Sequence, residues 1–485
     1  MDVRDWSYNE VAGLTVYLSD ERPALPEVTE IDAQMAVLER ELAILRLRKA
    51  HLLGARALIK RLPSDVLRRI FEIGVHDDPP LLPNLSLVSR LWRYIVLSTP
   101  TLWTRIVYET GDEFYEHIPE ERHARYMRKL STFLQRSGAC KLHVRLDVRY
   151  IESIGMLQQI LDLIAPHLAR AYFFKALVPD WEWMLAIAAA TRLLGPVLEH
   201  LHLGFALGYR GGSPCVILVN PCPALKYAVL EGTPPLVLGA PTPNLRVLHV
   251  VRQTVHLHIN ELLSATSALE QLHTLRLHTP PFLLAAPSHA SGYIFRSLRT
   301  LVIHELSNDS ISAFLDAARF PALTHLAVDM GALGVPNNVQ VPAQWLRRVA
   351  EDSKERFPAL RFLDISGVSV DGLAFETITY ALRRLPQLTG LAITGPPQPW
   401  VLGENMLDML GTEGGGGEWV LPRLEALVIS ACSDVTGNEI LEVVRSRNAT
   451  PGLSRICYLK FSHCPAFDYA VCTALAEVVD DVIIE

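Results

Sequence analysis

The sequence predicts an α/β fold: a solenoid of parallel strands with helical or irregular returns, preceded by a small all-α module and an N-terminal helix. Two observations predict it. A short leucine pattern recurs through most of the chain, and the first hundred residues carry amphipathic helix patterns instead. A chain of 485 residues exceeds one compact core, so it must be several domains or a repeat array. With 49% apolar and 20% charged residues it reads as globular, and a net charge of −7 argues against a nucleic-acid partner. The polar start "MDVRDWSYNE" carries no secretory pattern. The longest apolar run, "WMLAIAAATRLLGPVL", is broken by Arg192 and Pro196 and falls short of a membrane span. Seven scattered cysteines suit a reducing compartment, so a cytoplasmic or nuclear protein without a membrane partner is expected.

Residues 1–28 show no clear period and read as a loose arm. Over 29–57, Ile31, Met35, Leu38, Leu42, Leu45 and Leu52 follow alternating four- and three-residue steps, with Lys49 breaking the seam. Such a helix either forms a homodimer through residues 31–52 or packs on its own chain. In "LIKRLPSDVLRRIFEIGV", Pro63 suits the first position of a helix and Asp65 meets its dipole. Val66, Leu67, Ile70, Phe71 and Ile73 share one broad apolar face. After a loop from Asp77 to Pro83, Leu85, Leu87, Val88, Leu91, Trp92 and Ile95 give a second amphipathic helix, and Pro100, Leu102 and Trp103 turn onto a third short segment.

These two half-motifs, "LPSDVLRRIF" and "LSLVSRLWRYI" with "TPTLW", resemble the F-box, a small helical module that binds a Skp-family adaptor of cullin ubiquitin ligases. The "STPTLW" ending and the preceding heptad helix look like many fungal F-box proteins. Asp65 stands where glutamate is commoner in the family, and the loop between the halves is longer. The resemblance covers 58–107 and implies that Leu62, Pro63, Val66, Leu67, Ile70, Phe71, Val88 and Trp92 lie wholly or partly against the adaptor. Read from the residues alone, the same side chains form the core of a three-helix unit, but a module this small cannot bury all of them internally. A connecting helical segment is expected over 108–139.

From residue 140 to 485 an apolar residue is followed by others three and five positions on. The pattern runs from "LEHLHL" at Leu198 through "LKYAVL", "LRVLHV", "LHTLRL", "LRTLVI", "LTHLAV", "LRFLDI", "LTGLAI" and "LEALVI" to "ICYLKF" at Ile456, with a weaker copy, "LARAYF", at Leu168. Successive starts lie 20 residues apart at the shortest step, Leu225 to Leu245, and 37 at the longest, Leu323 to Leu360. This is a leucine-rich repeat solenoid, each unit pairing a strand with a return. Returns read as helices at "NDSISAFLDAARF" and "GNEILEVVRSR". Cys432 and Cys464 follow their repeats at equal distance, as in the cysteine-containing repeats often joined to F-boxes. Cys457, Cys464 and Cys472 lack the close ligand pairs of a zinc site and read as buried structural thiols.

Alternation along each strand turns the leucines to the core and their neighbours outward. The outward residues are His200 and His202; Tyr227 and Glu231; His249; Arg276 and His278; His304; His325 and Asp329; Phe362 and Asp364; Tyr458 and Lys460. Of these, His202, Tyr227, His249, Arg276, His278, His304, Asp329, Phe362, Asp364 and Tyr458 form the candidate substrate face. His278, His304 and Asp329 should stand in one column, which serves a metal, a partner contact, or an ordinary polar sheet surface. No catalytic motif stands out. "GTEGGGGEW" lacks the lysine of a phosphate loop and "GGSPC" lacks the second glycine of a nucleophile elbow.

The expected function is therefore that of a non-catalytic substrate receptor in an SCF-type (Skp-cullin-F-box) ubiquitin ligase. The adaptor and, through it, a cullin dock on the F-box, the repeats hold a protein substrate, and no cofactor or metal is needed. The alternative is a scaffold that uses the same modules outside ubiquitin ligation.

Overall fold

The computed structural model describes residues 26–56, 59, 62–109, 119–205, 218, 220–232, 242–251, 257–278, 282–283, 292–330, 344–367, 373–395, 404–414, 417–433 and 435–485. The arm expected over 1–28 up to residue 25, the "GGSPC" stretch, residues 331–343 of one insertion and 396–403 and 415–416 of the other fall outside them. The chain divides into two compact units, Met1–Thr99 and Pro100–Glu485.

Among the described residues the first unit holds four α-helices: α1 (Pro26–Arg56), α2 (Ser64–Asp77), α3 (Leu81–Val88) and α4 (Arg90–Ser98). Pro63 stands one residue before α2, at its N-cap, and its carbonyl accepts the Leu67 N–H at 3.1 Å. The second half of the unit differs from the expected loop and single helix. Pro83 sits in the first turn of α3, where no backbone N–H is needed, so the helix starts earlier. Ser89 then turns to extended backbone and its hydroxyl accepts the Trp92 N–H at 3.2 Å, which ends α3 and caps α4.

The second unit is built on a fourteen-stranded parallel sheet whose strands follow sequence order without exception. The strands are β1 (Arg105–Glu109), β2 (Leu142–Asp147), β3 (Ala171–Val178), β4 (His200–Phe205), β5 (Tyr227–Glu231), β6 (Val247–Val251) and β7 (Thr274–His278). There follow β8 (Thr300–His304), β9 (His325–Asp329), β10 (Phe362–Ser366), β11 (Gly390–Thr394), β12 (Ala426–Ser430), β13 (Tyr458–Ser462) and β14 (Asp481–Ile484). The repeat pattern sets this order. From Leu198, Leu201 and Leu203 to Ile456, Leu459 and Phe461, its three apolar positions are buried in every copy. One unit cannot cover its own leucines, whereas stacked neighbours bury them in a continuous core.

Three expectations need correction. The sheet begins not near residue 140 but at β1, where Trp103, Ile106 and Tyr108 occupy the three leucine positions and are buried. The helix Glu120–Arg136, expected as a connector, is the return of that first unit, with Leu130 and Leu134 in the shared core. The copy at Leu168 is out of frame: Ala171, Phe174 and Ala176 are buried, because a bulge in the pairing of β2 with β3 inserts Tyr172.

The return helices expected at both quoted stretches form. Asn308–Ala317 is capped by Ser307 and buries Ile311, Phe314 and Leu315; Gly437–Ala449 starts on a reciprocal Thr436–Glu439 capping box. Three arginines tie a return to the one before it. Arg170 donates to the Cys140 carbonyl (2.8 Å) and the Ser137 hydroxyl (3.0 Å) behind helix Glu120–Arg136. Arg356 donates to the carbonyls of Leu315 (3.0 Å) and Asp316 at the end of Asn308–Ala317. Arg447, fully buried, donates to the carbonyls of Leu410 (2.8 Å), Val420 (3.0 Å) and Leu421 beyond helix Glu404–Gly411. Each supplies donors and positive charge where a helix leaves carbonyls unpaired. Burial lowers the Arg447 pKa to about 10, still well above neutral pH. Cys432 is buried in the core, whereas Cys457, Cys464 and Cys472, expected to be buried, are only partly so, and the Cys464 thiol lies 3.5 Å from the Ser462 carbonyl.

Candidate interaction surfaces

On the first unit, α2 carries two apolar stripes. Leu67, Phe71 and Val75, four residues apart, are buried against Leu82 and Leu85 of α3 and Ile95 and Val96 of α4 in the unit's core. The Phe71 ring lies 4.8 Å from that of Trp92, tilted by 58°. Val66, Ile70 and Ile73 form the second stripe and face water, with Ile70 44% exposed and Phe71 beside it 1%. Pro63 and Val88 are exposed as well, while Leu62 and Trp92 are half-buried. Of the eight residues expected against a partner, Leu67 and Phe71 thus belong to the unit's own interior. Leu87, Leu91 and Tyr94, which that expectation omitted, are also exposed. The i, i+4, i+8 spacing from Leu67 could have separated the two stripes, but the sequence reading merged them into one face.

On the second unit, the strands from β4 to β10, and β13, turn their expected outward residues to the open face of the sheet. The register aligns them in three rows. The first row reads Arg105, His143, Phe173, His200, Tyr227 from β1 to β5 and continues to His325, Phe362, Gly390 and Tyr458. Its rings touch in series. His143 stacks on Phe173 at 4.0 Å, and His200 lies 5.8 Å from Tyr227. The Tyr227 hydroxyl is 3.1 Å from Nδ1 of His249 in the next row. Phe362 stacks on His325 at 5.4 Å and covers Gly390, where a Cβ would stand 2.2 Å from its ring.

Beyond Val107 the middle row carries Arg145 and Lys175, then His202, and after Val229 His249 and Arg276. Burial, helped by Arg276 and His202, lowers the His249 pKa to about 4. Burial and the neighbouring Arg145 also lower that of Lys175. Asp364 lies further along this row, and burial raises its pKa ahead of the opposing Ser366 hydrogen bond. The third row places His278, His304 and Asp329 side by side, as the spacing predicted. His304 Nδ1 is 3.2 Å from the Asp329 carboxylate, and His278 Nε2 is 3.5 Å from Glu305. Glu305 reaches the column because its backbone turns to φ 55° just after β8, its N–H donating to the Asp329 carbonyl at 2.7 Å. Among the described residues, no group of three or more His, Cys, Asp or Glu could hold a metal ion.

On β11 and β12 this face becomes small and neutral, with Gly390, Ala392, Ala426, Val428 and Ser430 outward, before Tyr458 and Lys460 follow on β13. The chemically rich part therefore spans β1 to β10. The sequence reading missed His143, Arg145, Phe173 and Lys175 there because the first units carry Trp, Ile, Tyr and Val where leucine was sought. The alternation in "LHVRLD" was the available signal.

Residues 59–109 match the F-box-like family model. The F-box-like segment takes in α2 to α4 and ends on β1, so the "TPTLW" stretch closes the motif and Trp103 opens the first repeat. A comparison with curated proteins gave no match. Among solved structures, a Bacteroides fragilis protein determined by a structural genomics consortium aligns at 13% identity with a TM-score of 0.30. The alignment covers 59% of this chain and 65% of that one, and so slight a likeness carries no inference. Among the described residues no helix is long and apolar enough to cross a membrane.

Proposed function

We propose that this protein is the substrate-recognition subunit of an SCF-type ubiquitin ligase, acting in the cytoplasm or the nucleus. The observation that carries the reading is the exposed stripe Pro63, Val66, Ile70 and Ile73 on a segment that matches the F-box-like family model. A short helix that fills its own core and still presents a second apolar stripe needs a partner to cover it. A Skp-family adaptor covers it in this reading and brings a cullin. The open face of the repeats, from His143 to Asp364, holds a protein substrate through its arginine, tyrosine and histidine side chains, the kinds of group that anchor interfaces. The chain supplies no chemistry to the transfer itself. Self-association through residues 31–52 belongs to the same reading.

The test is co-purification with wild-type chain and the double variant Val66→Asp, Ile70→Asp. Wild type should bring down adaptor and cullin together, and the variant neither, with its melting temperature unchanged. Adaptor without cullin would place the protein outside ubiquitin ligation, as a scaffold. Adaptor retained by the variant at wild-type levels would put the docking surface elsewhere.

A further inference from the structure

We infer that α1 pairs with α1 of a second copy in antiparallel orientation, so that the two F-box-like segments leave the coil at opposite ends. This rests on the homodimer reading above and adds its geometry. The described seam of α1 is uncovered: Ile31 is 56% exposed, Leu38 63% and Leu45 61%, with Met35 and Leu42 also exposed. Its steps run four, three, four, three, four from Ile31 to Lys49. That series is symmetric about Arg40. Laid antiparallel on itself, each seam residue therefore meets a seam residue: Leu38 against Leu42, Met35 against Leu45, and Ile31 against Lys49.

Charge decides between the orientations. Before Arg40 the described helix bears Glu30, Asp32 and Glu39; after it Glu41 is followed by Arg46, Arg48 and Lys49. Antiparallel pairing lays acidic on basic. Asp32 comes opposite Arg46, and Lys49, alone among the described residues in breaking the seam, lies over Ile31 beside Asp32. A parallel pair in register would gain Glu41 against Arg46, but it would set Lys49 on Lys49 inside the seam, flanked by Arg48. Glu39 and Glu41 face their own copies in the antiparallel pair, yet at the rim, where water and salt screen them. Like charges enclosed in the seam have no such relief. Val37, Ile44 and Leu47 lie on the opposite side of the helix, where Arg40 interrupts the row, and this pairing does not involve them. At 31 residues α1 is about 46 Å long, which sets the scale separating the two chain exits.

The experiment uses the full chain. Light scattering should give the mass of two chains. Leu38→Cys alone and Leu42→Cys alone should crosslink on oxidation no more than wild type. Co-expressed chains carrying one substitution each should crosslink at least tenfold more, with the 38–42 bond found by peptide mapping. Crosslinking of either single variant with itself would mean parallel helices and overturn the orientation while keeping the dimer. A single-chain mass would overturn the dimer, and a four-chain mass would overturn a two-helix seam. None of these outcomes bears on adaptor capture, so the F-box reading stands or falls separately.

Discussion

Helix α2 and strand β8 handle their apolar residues in opposite ways. In β8, Leu301 and Ile303 go to the core, and the alternating Thr300, Val302 and His304 form the open face. The large apolar residues of the repeat signature are consumed by packing, and what remains outside on β8 is a threonine, a valine and a histidine. In α2, Leu67, Phe71 and Val75 suffice for the core, yet Val66, Ile70 and Ile73 remain outside. A strand's period of two sorts residues cleanly between faces, whereas a helix can carry two apolar stripes at once. The difference teaches where to look for partners: surplus apolar residues mark the interface on the helical unit, and chemical variety marks it on the solenoid.

The largest effect should come from the buried members of each pair. Leu301→Ala and Leu67→Ala should each cost about 2–5 kcal/mol, read as loss of stability in chemical denaturation. The first should weaken the repeat array, the second the helical unit alone. An equal loss from Ile70→Ala would break the comparison, because Ile70 would then be part of the core.

Arg447→Met should come next. It removes the guanidinium donors from the carbonyls of Leu410, Val420 and Leu421 and should cost roughly 3 kcal/mol in the same assay.

A smaller effect concerns pH. The unfolded chain protonates a histidine near 6.5, but the folded protein keeps His249 neutral down to about 4. Between those values the unfolded state binds the extra proton. The contribution is therefore complete above about pH 6.5 and is lost as pH falls toward 4. His249→Gln should flatten the fall in melting temperature across that window. An unchanged slope would show that His249 does not sense it.

The smallest effect on stability belongs to the open face. Arg276→Ala and His304→Ala should shift stability by no more than about 0.5 kcal/mol. If the substrate sits there, at least one should weaken its capture. Full capture by both, and by Phe362→Ala and Tyr458→Ala, would move attention to the insertions around 331–344 and 396–419.

Much of the fold was legible because the repeat signature is redundant: any of ten copies gives strand, register and inward face. The column His278, His304, Asp329 followed from that register alone. Legibility failed where other residues filled the leucine positions, at Trp103, Ile106 and Tyr108, and where the bulge at Tyr172 shifted the frame. It failed at α3 because Pro83 reads as a breaker in a string but is harmless in a first turn. The arginine ties were invisible for another reason: "HLAR", "SKER" and "VVRSR" look like ordinary basic helix ends, and only the fold shows whose carbonyls they reach.

Those ties bear on how the array comes apart. A stack in which each unit touches only its neighbours can fray from an end, one unit at a time, like a zipper. Arg447 works against that at the C-terminal side. The helix Gly437–Ala449 cannot peel away without stripping the carbonyls of Leu410, Val420 and Leu421 as it leaves. Arg356 and Arg170 set the same latch further back, so amide exchange should step at these three places instead of falling smoothly toward the end.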